Sequence, residues 1–250
     1  MDSNLHPDLR QPFDSAPLPV PGRVLAIGAH PDDIEFGAGG TLARWASAGA
    51  HLTLAVVTDG SKGTWDPDVT PETLAATRRE EQARAAAALG AAEVVHLDHV
   101  DGELEYSMGL RREMCALVRR TRPDVVLSHD PWQRYQLHPD HRATGLGVVD
   151  GVVAARDHLF FPDLGPAHRP GALLLWSADA PDHVEPIGAT LDAKIAALLC
   201  HSSQATTTMG GADRGEDERA AFSARIAAAA HAAAKGSRYE LVEAFKLIVP

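Results

Sequence analysis

Two short segments of the chain carry residues whose types and spacing suit metal binding and proton transfer. The first reads AHPDDIEFGAGG, residues 29–40. His30 and Asp33 stand three positions apart at the junction of a short apolar run and a helix, so both side chains can converge on one point. An imidazole with a carboxylate is a ligand set that zinc accepts. Asp32 lies between them and cannot easily reach the same face of the ion; it is better placed to take a proton from a water held there. Pro31 restricts His30 to extended conformations, which fixes where the imidazole points. Taken alone this is a common spacing, and a His-Pro-Asp turn is often only a helix entry. The glycines at 37, 39 and 40 raise a second reading, phosphate held at a helix N-terminus, although no G-x-G-x-x-G follows the strand.

The second segment reads DPWQRYQLHPDHRATG, residues 130–145. His138 and His141 repeat the i, i+3 spacing, with Pro139 fixing the first turn of a helix. Parallel strands end on one edge of a sheet, so two such loops can meet there. His30, Asp33 and one of the two histidines would then form a three-ligand site with an open position, the pattern of catalytic rather than structural zinc. The other histidine would polarise a carbonyl, stabilise a tetrahedral oxyanion or protonate a departing amine. Asp140, two residues from His138, is placed to orient that imidazole and keep it protonated. The spacing leaves open which histidine binds the metal.

The elements that must position these residues follow from hydrophobic patterning. Apolar runs at 24–29, 51–58, 92–97, 123–129, 171–178 and 242–248 read as strands buried on both faces. Helical stretches lie between them, at 37–50, 71–90, 107–122, 138–156, 191–203 and an Ala-rich 215–236. Strands alternating with helices predict a three-layer α/β sandwich with a mostly parallel, Rossmann-like central sheet. Ligands bind such sheets at the carboxyl ends of the strands, so the loops after 29, 58, 97 and 129 are where a site is expected. The loop 59–70 is long enough to form a rim or lid. Residues 1–22, rich in Pro and polar side chains, read as a flexible tail preceding one domain over 23–250.

Composition narrows the function classes. A net charge of −11 argues against nucleic acid or an anionic membrane as partner. Cys115 and Cys200 sit in separate helices and suggest no disulfide framework. No stretch resembles a signal peptide or a membrane span, so a cytoplasmic enzyme acting on a small soluble molecule is expected. Nothing here excludes a homo-oligomer.

The paired AHPDD and HPDH motifs resemble the signature of the LmbE-like, or PIG-L, deacetylases, and the resemblance extends over residues 23–205. It implies an LmbE-like, Rossmann-like fold and a zinc ion, with iron as an alternative metal, held by His30, Asp33 and His141. It further implies Asp32 as general base, His138 as the electrostatic or acid-base histidine, and Asp140 as its support. The implied reaction removes an N-acetyl group from an amino sugar, an N-acetylglucosamine-containing small molecule above all. An amidase cleaving a glucosamine-thiol conjugate and a non-catalytic nucleotide-binding α/β protein are the alternatives. Weaker correspondences offer Arg78, in TRREEQARAAAALG, and Asp101, in HVDGEL, as substrate contacts. Their plain alternatives are a surface charge paired with Glu81 and a turn residue before Gly102. Where some relatives carry a Tyr two residues before the His of HPDH, this chain has Gln136, and Tyr135, one position earlier, is the third candidate substrate contact, placed to swing in toward the oxyanion. Trp65 and Trp132 fall in rim loops, where they would stack on a sugar face or anchor the loops. His201, Ser202 and Gln204 resemble a family segment read as structural.

Overall fold

A computed structural model describes residues 16–213 and 215–250. The strands are β1 (Arg23–Gly28), β2 (His51–Thr58), β3 (Glu93–His99), β4 (Val125–His129), β5 (Ala172–Trp176), β6 (His183–Pro186) and β7 (Val242–Ile248). The helices are α1 (Asp33–Ser47), α2 (Pro71–Leu89), α3 (Met108–Thr121), α4 (Pro139–Arg156), α5 (Leu191–Leu199) and α6 (Glu216–Ala233). Seven strands form one sheet in the order β3-β2-β1-β4-β5-β7-β6. The first five are parallel, and β7 runs antiparallel to both β5 and β6. This is the mostly parallel, Rossmann-like α/β sandwich expected from the sequence.

The period-2 geometry of a strand splits its side chains between two cores. Val24 and Ala26 of β1 pack with Leu42 and Trp45 of α1 and with Ala85 and Leu89 of α2. Leu25 and Ile27 point the other way, into Leu110 and Met114 of α3 and Val148 and Val152 of α4. Three layers result because the central strands are apolar on both faces. Side chains that satisfy free amides open three of the helices: Thr70 accepts from Thr73 N–H at α2, Ser107 from Leu110 N–H at α3, and His138 from Asp140 N–H at α4.

Three boundaries depart from the sequence reading. Helix α1 begins at Asp33, not at Gly37, so the second ligand candidate lies inside its first turn. The glycines taken for a helix opening are interior positions packed against other elements. A Cβ on Gly37 would stand 2.4 Å from Trp176, and one on Gly40 would stand 2.7 Å from Ile187. Strand β6 was not foreseen; it is four residues long and mostly polar, and it pairs only at the edge. Helix α5 stops at Leu199, where the chain tightens into a 3-10 turn at Ser202–Gln204.

Within the segment read as a tail, Leu18 N–H donates to Glu185 at 2.8 Å and Gly22 N–H to Asp124 at 2.8 Å; residues 1–15 lie outside the described part. Cys115 and Cys200 are free. Among the described residues no helix is long and apolar enough to cross a membrane.

Candidate metal and catalytic site

Strands β1 and β4 are direct parallel neighbours, with Ile27 opposite Ser128. Their carboxyl ends therefore deliver both motifs to one spot. After β1, the Asp33 carboxylate accepts the His30 N–H at 2.7 Å, which closes the His30–Asp33 turn on itself. Asp32 takes a left-handed conformation there, with φ of 98°. Strain of that kind in a non-glycine residue clusters at functional sites. After β4, the loop runs to His138, which caps α4: its Nδ1 accepts the Asp140 N–H at 3.3 Å. His141 follows in the first turn.

Two ring nitrogens and both oxygens of one carboxylate converge. His30 Nδ1 lies 3.2 Å from His141 Nε2 and 3.3 Å from Asp33 Oδ2, and His141 Nε2 lies 3.2 Å from Asp33 Oδ1. Ligands about 2.0–2.1 Å from a tetrahedral zinc are separated by about 3.3 Å. Each imidazole nitrogen meets a different oxygen of the Asp33 carboxylate, so the side chains bracket one point at ligand-like spacing; among the described residues the groups able to hold an ion also bring His138 to His30 and His141, and His129 to Asp33 and His141. The opposite nitrogen of His30 is held as well, with Nε2 3.1 Å from Asp140 Oδ2 and 3.1 Å from Asp101 Oδ1. A metal-binding histidine commonly has a carboxylate on its other nitrogen, where it fixes the ring and raises its basicity. By donor type, spacing and outer support, the residues fit a divalent metal.

Electrostatics agree with two unlike carboxylates. Burial opposes ionisation of Asp33, yet the His129 and His141 imidazoles beside it hold it well below the usual carboxylate range. Burial pushes neighbouring Asp32 up to about 6 against the opposing charge of Arg78. One carboxylate is thus set up to stay charged and the other to exchange a proton. For His138, burial and the nearby His30 and His141 act together to lower the pKa, and Asp140 opposes them.

His129, the last residue of β4, was not singled out from the sequence. It is buried, with Nε2 3.2 Å from Asp33 Oδ2, and its Nδ1 accepts the Trp176 indole N–H at 3.0 Å. Trp176 reaches that position because Gly37 leaves room for the ring. The signal available in the sequence was its place: a histidine closing an apolar run at the sheet edge where the site was expected.

The other expected residues fall as follows. Asp101 is buried and joins the site through His30, with its Oδ2 accepting Lys62 N–H at 3.0 Å; it is more than a turn residue. The Asp140 carboxylate does not orient His138 as expected. It faces His30 and accepts Gly102 N–H at 2.7 Å and Leu104 N–H at 3.3 Å, because the helix turn presents its backbone, not its side chain, to His138. Arg78 is not a surface charge: it is 3% exposed beside Asp32, its two Nη atoms donate to the carbonyls of Gly60 and Pro31, and its Nε has no hydrogen-bond partner. Its supposed partner Glu81 binds Ser202 and Ser203 instead, so that segment fastens α2, as the structural reading held. Tyr135 is 87% exposed, Trp65 74% and Trp132 59%, all in loops that follow β2 or β4. The 37–40 glycines form no phosphate loop; they lie inside α1, where the Gly40 and Thr41 N–H groups donate to the Glu243 carboxylate of β7.

Fold and site together define an α/β protein with a His/Asp metal-type cluster at the carboxyl edge of its sheet. Residues 25–152 match the PIG-L, GlcNAc-PI de-N-acetylase, family, and the chain belongs to that family. It is 34% identical to diacetylchitobiose deacetylase of Thermococcus kodakarensis over 81% of this chain and 75% of that protein. It is 32% identical to 1D-myo-inositol 2-acetamido-2-deoxy-alpha-D-glucopyranoside deacetylase of Kineococcus radiotolerans over 55% of this chain and 46% of that one. In structure it resembles N,N'-diacetylchitobiose deacetylase from Pyrococcus horikoshii, solved with an inhibitor, with a TM-score of 0.82 and 28% identity over 97% of this chain and 87% of the other. These relatives are named deacetylases, which are hydrolytic enzymes.

Proposed function

We propose that the chain is a zinc-dependent N-deacetylase of a small amino sugar, an N-acetylglucosamine-containing molecule, with His30, Asp33 and His141 as metal ligands and Asp32 as general base. The convergence of those three side chains carries the reading: His30 Nδ1 and His141 Nε2 lie 3.2 Å apart, each is 3.2–3.3 Å from one oxygen of the Asp33 carboxylate, and Asp32 is buried beside them. Two imidazoles and one carboxylate also suit ferrous iron, so metal analysis of the purified protein decides the ion. The identities of the relatives support the amino-sugar substrate, and the acidic net charge of −11 favours a neutral or cationic molecule over a phosphorylated one.

The bound metal supplies Lewis acidity, polarising the amide carbonyl and making a water acidic enough to be deprotonated near neutral pH. Asp32 takes that proton as the water oxygen bonds to the acyl carbon. With its Nδ1 accepting from Asp140 N–H, neutral His138 carries its proton on Nε2. That N–H stabilises the oxyanion of the tetrahedral intermediate. An amide nitrogen cannot leave as an anion, so the proton held by Asp32 passes to it as the C–N bond breaks. Acetate and a free amine result, and Asp32 returns to its charged form. The exposed rings of Trp65 and Trp132, in loops on either side of β1, offer apolar faces to a sugar.

The test is a panel of N-acetylglucosamine derivatives, from the monosaccharide to β-linked disaccharides and inositol glycosides, assayed for amine and acetate release by metal-loaded protein. Equimolar release from at least one member supports the reading. Release of a different acid, or of none across the panel, rejects the substrate class.

A further inference from the structure

Asp101 belongs to the loop after β3, yet its carboxylate reaches His30 beyond the end of β1, and β2 lies between those two strands. Neighbouring strands stand about 4.8 Å apart, so the loop has to fold back over the end of β2 to bring Asp101 there. At that end stands Asp59, half-buried. Its N–H donates to the His99 carbonyl at 2.8 Å, which carries the pairing of β2 with β3 one step past Thr58 and His99. Its carboxylate oxygen Oδ1 accepts two backbone amides, Ser61 N–H at 3.0 Å and Asp101 N–H at 3.1 Å. The first bond turns the loop after β2, and the second draws the loop after β3 across it. The tie is returned: Asp101 Oδ2 accepts Lys62 N–H at 3.0 Å, which leaves its Oδ1 at 3.1 Å from His30 Nε2. From the α4 side the Asp140 carboxylate accepts Gly102 N–H at 2.7 Å, and Gly102 takes a φ of 75° that a side chain would strain.

We propose that Asp59 is a positioning residue for the metal centre: by holding the Asp101 backbone it sets the Asp101 carboxylate against His30, and it acts through Asp101 alone. The proposal rests on the reading of His30 as a metal ligand. Asp59 stands in none of the groups of described residues able to hold an ion, so its reach to the centre is indirect. A hydrogen bond from a backbone amide to a carboxylate is about twice as strong as one between neutral groups, and two of them meet on one oxygen of Asp59. The supports of a metal ligand work only when their own direction is fixed by a further set of bonds. For Asp101 that set is complete: Asp59 holds its amide and Lys62 N–H holds the oxygen turned away from His30.

The test measures metal affinity, kcat and KM for Asp59→Ala, Asp101→Ala and the double variant, with Asp59→Asn as the conservative change. Losing a direct partner of a metal ligand weakens binding by about 10- to 100-fold. Asp59→Ala removes the hold on that partner and not the partner, so metal affinity should fall by less, about 3- to 10-fold. Any change in kcat or KM should run in the same direction as in Asp101→Ala. On Asp101→Ala the second substitution lowers metal affinity no further, since the contact it acts through is gone. Asp59→Asn keeps an acceptor oxygen of the same reach and should stay within about twofold of the wild type. Losses that multiply in the double variant would show a role independent of Asp101, and Asp59→Asn as damaging as Asp59→Ala would show that charge and not the hydrogen bonds matters; either overturns the proposal. Unchanged metal affinity in Asp59→Ala, or failure of that variant to fold, overturns it as well, the second by assigning the contact to the fold alone. Wild-type metal affinity in His30→Ala would instead reject the ligand reading on which the proposal rests.

Discussion

Replacing His129 with Leu separates metal affinity from stability. His129 Nε2 stands 3.2 Å from Asp33 Oδ2, and its Nδ1 accepts the Trp176 indole at 3.0 Å. Nε2 also accepts the Ala29 N–H at 3.2 Å, and Leu removes all three contacts at similar volume. A hydrogen bond to a charged group contributes about 1.5–3 kcal/mol, and a buried donor left without an acceptor costs about 1–3 kcal/mol. The first loss falls on Asp33, which is left less well oriented and less well neutralised. It should weaken metal binding by about 10- to 100-fold, the range found for outer partners of metal ligands. The second falls on the Trp176 and Ala29 N–H groups, both left without an acceptor; it should appear as about 1–3 kcal/mol per donor of lost stability in the metal-free protein. Chelator competition with a fluorescent indicator measures the first quantity, and urea unfolding in chelator measures the second. Unchanged metal affinity would refute the idea that His129 supports Asp33. Complete loss of metal, as expected for His141→Ala, would refute it in the other direction by making His129 a ligand itself.

Two further outcomes follow from the same geometry. Asp140→Asn keeps an acceptor for one of the Gly102 and Leu104 N–H groups, which bond different carboxylate oxygens, and removes the charge 3.1 Å from His30 Nε2; metal affinity should fall by about tenfold or more, and calorimetric titration that finds no change would contradict it. His201 is buried with its Nε2 3.6 Å from Glu35 Oε2; burial alone would lower its pKa, but Glu35 more than offsets this and raises it above the ordinary value. A raised folded-state pKa means that the contribution to stability is complete below the unfolded value of about 6.5 and fades as pH rises through the folded one. His201→Asn should therefore cost more stability at pH 6 than at pH 9, and urea unfolding that shows an equal or larger cost at pH 9 would count against it.

Much of the site was legible because it is local. His30 with Asp33, and His138 with His141, are i, i+3 pairs beside prolines, and a parallel sheet brings any two neighbouring strand ends together. The strand and helix order followed from apolar runs separated by periodic polar ones. What escaped depends on contacts far apart in sequence. His129 meets Asp33 across 96 positions and Trp176 across 47, and no spacing rule links them. Asp140 was matched to the wrong histidine because proximity in sequence suggested His138, while the helix turn aims its carboxylate at His30, 110 positions away. The surface-charge alternative for Arg78 arose because α2 is so polar; the loop folded over the side chain buries it. The glycines of α1 were read for their conformational freedom, when their missing side chains are what the packing uses.

The most direct test of the account compares wild-type protein with Asp32→Asn for metal content and for turnover on the best N-acetylated amino sugar. The site predicts one metal per chain in both proteins, since Asp32 is not among the ligands. It predicts that amine release by the variant falls by about 10²–10⁴-fold, the usual contribution of a general base. A metal-loaded variant with near-wild-type turnover would contradict the account, as would a wild-type enzyme that keeps full activity after its metal is stripped.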